Sequence, residues 1–116
     1  MNVERLKEGD TVEAVPNAHL TQLADGERMS VQHFRIEPGA VVPSHSHPHE
    51  QAGYIFQGEF TFLLGDAEDP EEVVVGPGDG YVLASEEVHG AENRGDETVL
   101  GVDVFSPPRT DPDWAE

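Results

Sequence analysis

Apolar residues along this chain come in short runs that alternate with polar ones and stop at turn signals. Residues 18–24 (AHLTQLA) run to Asp25-Gly26, residues 29–36 (MSVQHFRI) to Glu37-Pro38-Gly39, and residues 51–57 (QAGYIFQ) to Gly58, with 59–64 (EFTFLL) directly after. Residues 73–75, 81–84, 88–93 and 98–105 continue the series, broken by GPGDG at 76–80 and RGDE at 94–97. The acidic stretch 65–72 (GDAEDPEE) reads as a solvated loop. Alternation sends successive side chains to opposite faces, and short strands at regular spacing predict an all-β sandwich or barrel. No segment holds a helical period of adequate length. The only helix expected is a short turn near Arg5-Leu6 or at the tail.

The last run, TVLGVDVF (98–105), has two unlike faces. Leu100, Val102 and Val104 share an aliphatic one, while Val99, Gly101, Asp103 and Phe105 share the other. An aspartate turned inward is costly unless it is paired or functional. Arg109 follows closely, and its planar fork suits bidentate binding of a carboxylate. A structural reading competes, in which Asp103 pairs with Arg109 or Arg35 and Phe105 belongs to the core. Tyr54 and Phe56 alternate on their strand as packing residues, with either a candidate for the mouth of a cavity.

Charge changes the picture. The 116 residues suit one domain, and 24 Asp and Glu against six Lys and Arg give a formal charge of −18. Such a surface repels nucleic acid and anionic membranes, so neither is an expected partner. At about 1 M salt the Debye length is only ~3 Å, which screens the self-repulsion; the composition therefore predicts a salt-adapted, halophilic protein. There is no cysteine, which excludes disulfides, thiolate metal sites and cysteine nucleophiles. The start, MNVERLKEGD, has no apolar signal-peptide core, and no run approaches membrane-spanning length, so a cytoplasmic location is expected.

Candidate chemistry gathers at HSHPHEQ, residues 45–51, where three of the six histidines lie together. Histidine is the commonest metal ligand, and on an extended segment His45 and His47 project to one side. Two glycine-started blocks recur: Gly39-x5-His45-x-His47-x3-Gln51-x6-Gly58 and Gly78-x5-Ala84-x-Glu86-x2-His89-x3-Asn93. These resemble the two motifs of the cupin superfamily. The resemblance implies a double-stranded β-helix, a jelly-roll barrel, with one cupin domain over residues 1–116 and its core at about 28–106. It also implies one divalent transition metal held by His45, His47, Gln51 and His89. The chain departs from the motifs at Gln51, where Glu is usual, and at Ala84 and Glu86, where Pro and Gly are usual in a turn. His49 falls in the motif's spacer and is expected at the rim; Glu50 sits one residue short of the ligand position. His19 and His33 are expected to be structural.

Three imidazoles and an amide would leave the full +2 charge on the metal, which favours an anionic substrate or Lewis-acid work. The ligand types suit Zn, Ni, Fe or Co, and Mn less well. The C-terminal stretch Asp103-Val104-Phe105-Ser106-Pro107-x-Arg109 is similar to the signature of the KdgF-type pectin-degradation cupins, which also share the HxHPHxQ first block. Those enzymes open the ring of 4,5-unsaturated uronates to linear 4-deoxy-5-keto uronates. The resemblance implies an enzyme with Asp103 and Arg109 as catalytic residues and with Arg109, Phe105 and Tyr54 binding a small anionic uronate. The competing expectations are an iron-dependent dioxygenase of a small organic acid and a non-catalytic sugar- or acid-binding module. A homodimer is expected, formed by pairing or exchange of edge strands, with Trp114 covering an edge or a partner.

Overall fold

The computed structural model describes residues 1–109, and its elements follow the alternation of the chain. A 3₁₀ turn, Leu6–Glu8, precedes the strands β1 (Thr11–Val15), β2 (Ala18–Asp25), β3 (Ser30–Ile36), β4 (Val41–His45), β5 (Glu50–Gln57), β6 (Phe60–Leu64), β7 (Glu71–Val75), β8 (Gly80–Leu83), β9 (His89–Glu92) and β10 (Val99–Ser106). They form two antiparallel sheets, one ordered β1-β2-β3-β10-β5-β8 and the other β4-β9-β6-β7. This is the expected all-β jelly roll. The chain crosses between the sheets repeatedly, so strands distant in sequence become neighbours. Thus β10 lies between β3 and β5, with Asp103 opposite Gln32 on one side and Gly53 on the other.

Period-two patterning decides which residues enter the barrel. Leu20, Phe34, Ile36, Ile55, Leu83 and Val99 come from the larger sheet, and Phe60, Phe62, Val75 and Ala91 from the smaller; all are buried. Full burial of such a side chain stabilises by about 1.5–3 kcal/mol. Aromatic contacts carry the core toward one end of the barrel, from Phe34 to Phe60, Phe60 to Phe62, and Phe62 to Tyr81 with ring centroids 4.8 Å apart. Inward-facing Asp103 and Phe105 lie at that same end.

The opening glycines of the two sequence blocks, Gly39 and Gly78, have φ of +87° and +90°. Both occupy left-handed turns that only glycine enters without steric cost. Glu86 also adopts a left-handed φ, of +68°, at the turn position where the motif usually carries glycine. Its backbone N–H donates to the His47 carbonyl, 2.8 Å away, so this turn braces the first histidine block.

Two strands are not among the expected runs. β1 and β4 carry exposed and polar residues at most positions, TVEAV and VVPSH, and their pairing with β2 and β9 defines them more than their own apolar content does. β7 begins at Glu71, inside the acidic stretch, because Glu71 and Glu72 pair with Leu64 and Leu63. The short helix near Leu6 is a 3₁₀ turn. Trp114 lies outside the described residues.

Candidate metal centre and cavity

Three elements bring the histidines together. His45 ends β4 directly opposite His89, which begins β9. His47 follows in the β4–β5 connection, beyond the strand. One nitrogen from each of the three rings lies within 4.8 Å of the others, close enough to share one ion. Gln51, at the start of β5, places its Oε1 3.1 Å from His47 Nε2.

The donor set fits a metal. Each Nδ1 faces a backbone carbonyl: His45 to Pro43 at 2.8 Å, His47 to His49 at 3.0 Å, and His89 to Glu87 at 2.9 Å. A carbonyl only accepts, so each Nδ1 carries the proton and each Nε2 carries the lone pair, the tautomer that ligates. Burial, followed by the nearby Arg109 and His89, pushes the His47 pKa down to about 4 and keeps the ring neutral. His89 is shifted the same way, chiefly by burial. The Gln51 amide also hydrogen-bonds the Asp103 carboxyl group, which orients its N–H₂ there and its Oε1 toward His47. Two lone-pair atoms 3.1 Å apart with no proton between them call for a cation.

Beside the histidines is a cavity of about 50 Å³, lined by Gln32, His45, Gln51, Tyr81, His89, Asp103, Phe105 and Arg109 above an apolar floor. That is room for a few water-sized groups. Asp103 is 8% exposed. Burial raises its pKa from 3.8 to about 6, against the lowering influence of its hydrogen bonds from Tyr81 and Gln51 and of Arg109. The Tyr81 hydroxyl donates to Asp103 Oδ1 at 2.6 Å. Burial and the Asp103 carboxylate both push the Tyr81 pKa upward, so the phenol stays a donor.

Gly53 makes that bond possible. It lies between the two residues in the sheet, opposite Asp103 on β10 and Tyr81 on β8. A Cβ at position 53 would come within 2.5 Å of Asp103 Oδ1 and would overlap the Tyr81 phenol. The tyrosine therefore crosses a notch in β5 to reach a carboxylate two strands away.

Arg109 is buried, and its guanidinium carbon stands 5.3 Å from the Phe105 ring centroid. Its backbone N–H donates to the buried Ser30 Oγ at 2.9 Å. Ser106 Oγ donates to the Arg28 carbonyl, so the segment after β10 is tied to the start of β3 at two points.

The structure thus gathers His45, His47, His89, Gln51, Asp103, Phe105 and Arg109 at one end of the barrel. Tyr54 does not join them. Alternation on β5 turns Gln51, Gly53 and Ile55 inward and Tyr54 outward, where it is 43% exposed and its ring contacts Phe56. The tyrosine of the site is Tyr81, which sequence reasoning missed together with Gln32. The signal was present in the alternation of Tyr81 with buried Leu83 on β8. His49 sits behind the histidines, half-buried, with its ring near His47 and Phe105 and its carbonyl accepting from His47. Glu50 is exposed. His19 binds Glu37 away from the cavity, and half-buried His33 faces outward on β3.

Known proteins share this fold. Residues 32–105 match the model of the cupin domain. The structure of KdgF from Halomonas sp. superposes with a TM-score of 0.80 at 27% identity, covering 94% of this chain and 96% of that one. An RmlC-like cupin from Shewanella frigidimarina gives 0.80 at 21% identity, over 94% and 93% of the two chains. A mutant of the oxalate decarboxylase OxdC from Bacillus subtilis gives 0.81 at 18% identity, covering 97% of this chain and 31% of that one. The last two likenesses speak to the fold alone. No curated relative matches the sequence. With the matched domain spanning most of the chain and the histidine cluster at the mouth of the barrel, the protein belongs to the cupin family.

Proposed function

We propose that this cupin opens the ring of 4,5-unsaturated uronates, giving linear 4-deoxy-5-keto uronates, as the KdgF-type cupins do. The observation that carries the reading is that Asp103, Phe105 and Arg109, the residues of the C-terminal signature, line the same cavity as the histidine cluster. His45, His47 and His89, with Gln51, would hold a divalent metal. When bound, it supplies Lewis-acid polarisation of an oxygen ligand.

The chain's own residues account for the rest. The substrate is an anion with an enol-ether double bond. Arg109 binds its carboxylate in the fork geometry suited to that group. Phe105 packs against the guanidinium and offers the sugar an apolar face. Asp103, with its pKa near 6, is suited to exchange a proton around neutral pH. Water adds across the double bond, its hydrogen to carbon 4 and its oxygen to carbon 5. The hemiketal then opens as the ring oxygen leaves carbon 5 with a proton. Tyr81 and Gln51 fix the Asp103 carboxyl group in position for these transfers.

The formal charge of −18 does not prevent binding of an anion. A carboxylate ~4 Å from a +2 ion gains at most about 8 kcal/mol at an effective dielectric of 20, before desolvation. Diffuse surface charge is screened beyond a Debye length.

The test is to follow the double-bond absorbance of unsaturated galacturonate with metal-loaded protein, at low and high salt. Accelerated loss is expected. No acceleration at any salt concentration sinks the reading. Asp103→Ala and Arg109→Ala should each lower the rate at least a hundredfold with metal content unchanged; full activity in either would remove its assigned role.

A further inference from the structure

Register builds a polar layer across the inner face of the six-stranded sheet. Gln22 on β2 stands opposite Gln32 on β3, Gln32 opposite Asp103 on β10, Asp103 opposite Gly53 on β5, and Gly53 opposite Tyr81 on β8. One row deeper the inward residues are Leu20, Phe34, Gly101 and Ile55, with no polar side chain. Tyr81 and Gln51 hold Asp103 from the β5 and β8 side. On the other side the layer ends in two glutamine amides that the proton transfers do not use.

Both amides sit where an apolar residue would fit the fold better. Gln32 is 6% exposed and lines the cavity, and among the described residues nothing hydrogen-bonds its side chain. The amide oxygen and nitrogen of Gln22 are both buried, again with no hydrogen-bond partner among the described residues. A buried amide without a partner gives up its hydration uncompensated, and such groups are rare enough in native proteins to call for a reason.

We infer that Gln32, oriented by Gln22, binds the hydroxyl group on carbon 3 of the sugar and so selects hydroxylated ring acids over plain ones; the carbon is assigned on the ring-opening activity proposed above. The cavity of about 50 Å³ admits hydroxyl-sized groups and not a whole ring, so the ring stays at the mouth and its substituents enter. A glutamine amide both donates and accepts, as a hydroxyl does. It carries no charge, so it does not compete with Arg109 for the carboxylate. Distance picks the carbon. Side chains directly opposite in an antiparallel pair have Cβ atoms ~4.5–5.5 Å apart. An atom that takes its proton from Asp103 therefore has its neighbours within reach of Gln32. In the ring opening that atom is carbon 4, and carbon 3 is its hydroxyl-bearing neighbour. Gln22 stands one strand further on, where its amide oxygen can accept an N–H of Gln32 once the sugar turns that amide. This fixes which end of Gln32 faces the hydroxyl.

Calorimetric titration of the zinc-loaded full chain tests this without turnover. The probes are 4-deoxygalacturonate and 3,4-dideoxygalacturonate, which have no double bond to react and differ only in the carbon-3 hydroxyl. The wild type should bind the first about tenfold more tightly, the scale of one good hydrogen bond. Gln32→Met, close in size and apolar, should lose that preference while binding the dideoxy acid and zinc as before. Gln22→Met should reduce the preference about threefold or more. Because it removes an unpaired buried amide, it should also melt no lower than the wild type. A wild type that binds both acids alike, or neither, overturns the inference. So does a Gln32→Met protein that keeps the preference or weakens both acids equally. A Gln22→Met protein that melts several degrees lower shows that the fold itself uses that amide, and overturns its orienting role. Ring opening is scored separately by the double-bond absorbance. Its absence beside an intact hydroxyl preference would sink the reaction and leave the hydroxyl site standing.

Discussion

At the scale of single residues, the hydrogen bond from Tyr81 to Asp103 organises the site, and it depends on a side chain that is missing. Gly53 leaves the gap through which the phenol reaches the carboxyl group. Tyr81→Phe removes the donor while keeping the ring against Phe62. It should lower kcat about tenfold or more with KM little changed, since a hydrogen bond to a charged group contributes about 1.5–3 kcal/mol. Gly53→Ala should lower activity further, because the phenol must leave its place; a fully active Gly53→Ala enzyme would show that the notch does not matter. The pKa of Asp103 makes a separate prediction for the metal-free protein. Its folded pKa of about 6 lies above the ordinary 3.8. The native state therefore holds the proton more tightly, and its contribution to stability falls as pH rises from about 4 through 6. Asp103→Asn, which cannot ionise, should match the wild type near pH 4 and be more stable above pH 6, by on the order of 3 kcal/mol. Chemical denaturation across that range, on protein stripped with chelator, would show the crossover. Of these residues Asp103 was legible in the sequence, because an acid on the inward face of an apolar strand is conspicuous. Tyr81 was not, because an aromatic on a short strand looks like packing until its partner two strands away is known.

At the scale of elements, the candidate ligand set hangs on how strands begin and end. His45 closes β4, His89 opens β9, and Gln51 sits one residue into β5. Gln51→Ala should lower metal occupancy measured by elemental analysis at limiting metal, by about tenfold or more in affinity; full loading would show that the amide is not a ligand. The turn carrying Glu86 offers a stability test. A non-glycine residue in the left-handed region costs roughly 1–2 kcal/mol, partly offset by glycine's greater freedom when unfolded. Glu86→Gly should therefore stabilise by about 0.5–1 kcal/mol in denaturant melts, with the brace on the His47 carbonyl retained. β3, β5 and β10 were readable because inward residues recur at alternate positions, and β2 and β6 because their apolar runs end at turn signals. β1 and β4 were not, since their pairing rests on backbone groups that every sequence shares.

At the scale of the molecule, charge and fold act on different distances. A formal charge of −18 on 116 residues strains the compact state in dilute buffer. Raising salt from ~0.1 to ~1 M should stabilise by about 2 kcal/mol, a Tm rise of about 10 °C. A melting curve independent of salt would remove the idea of salt adaptation.

The sequence alone determined the all-β class and the shared face of Asp103 and Phe105, while the resemblance of its two blocks to the cupin motifs implied the grouping of His45, His47, Gln51 and His89. Local periodicity and motif spacing carry that information because each is set by neighbouring residues. Only the tertiary structure decided that Tyr81 and not Tyr54 lines the cavity and that Gly53 is a notch. Each of these is a matter of which strands lie side by side, and in a jelly roll the neighbours come from distant parts of the chain.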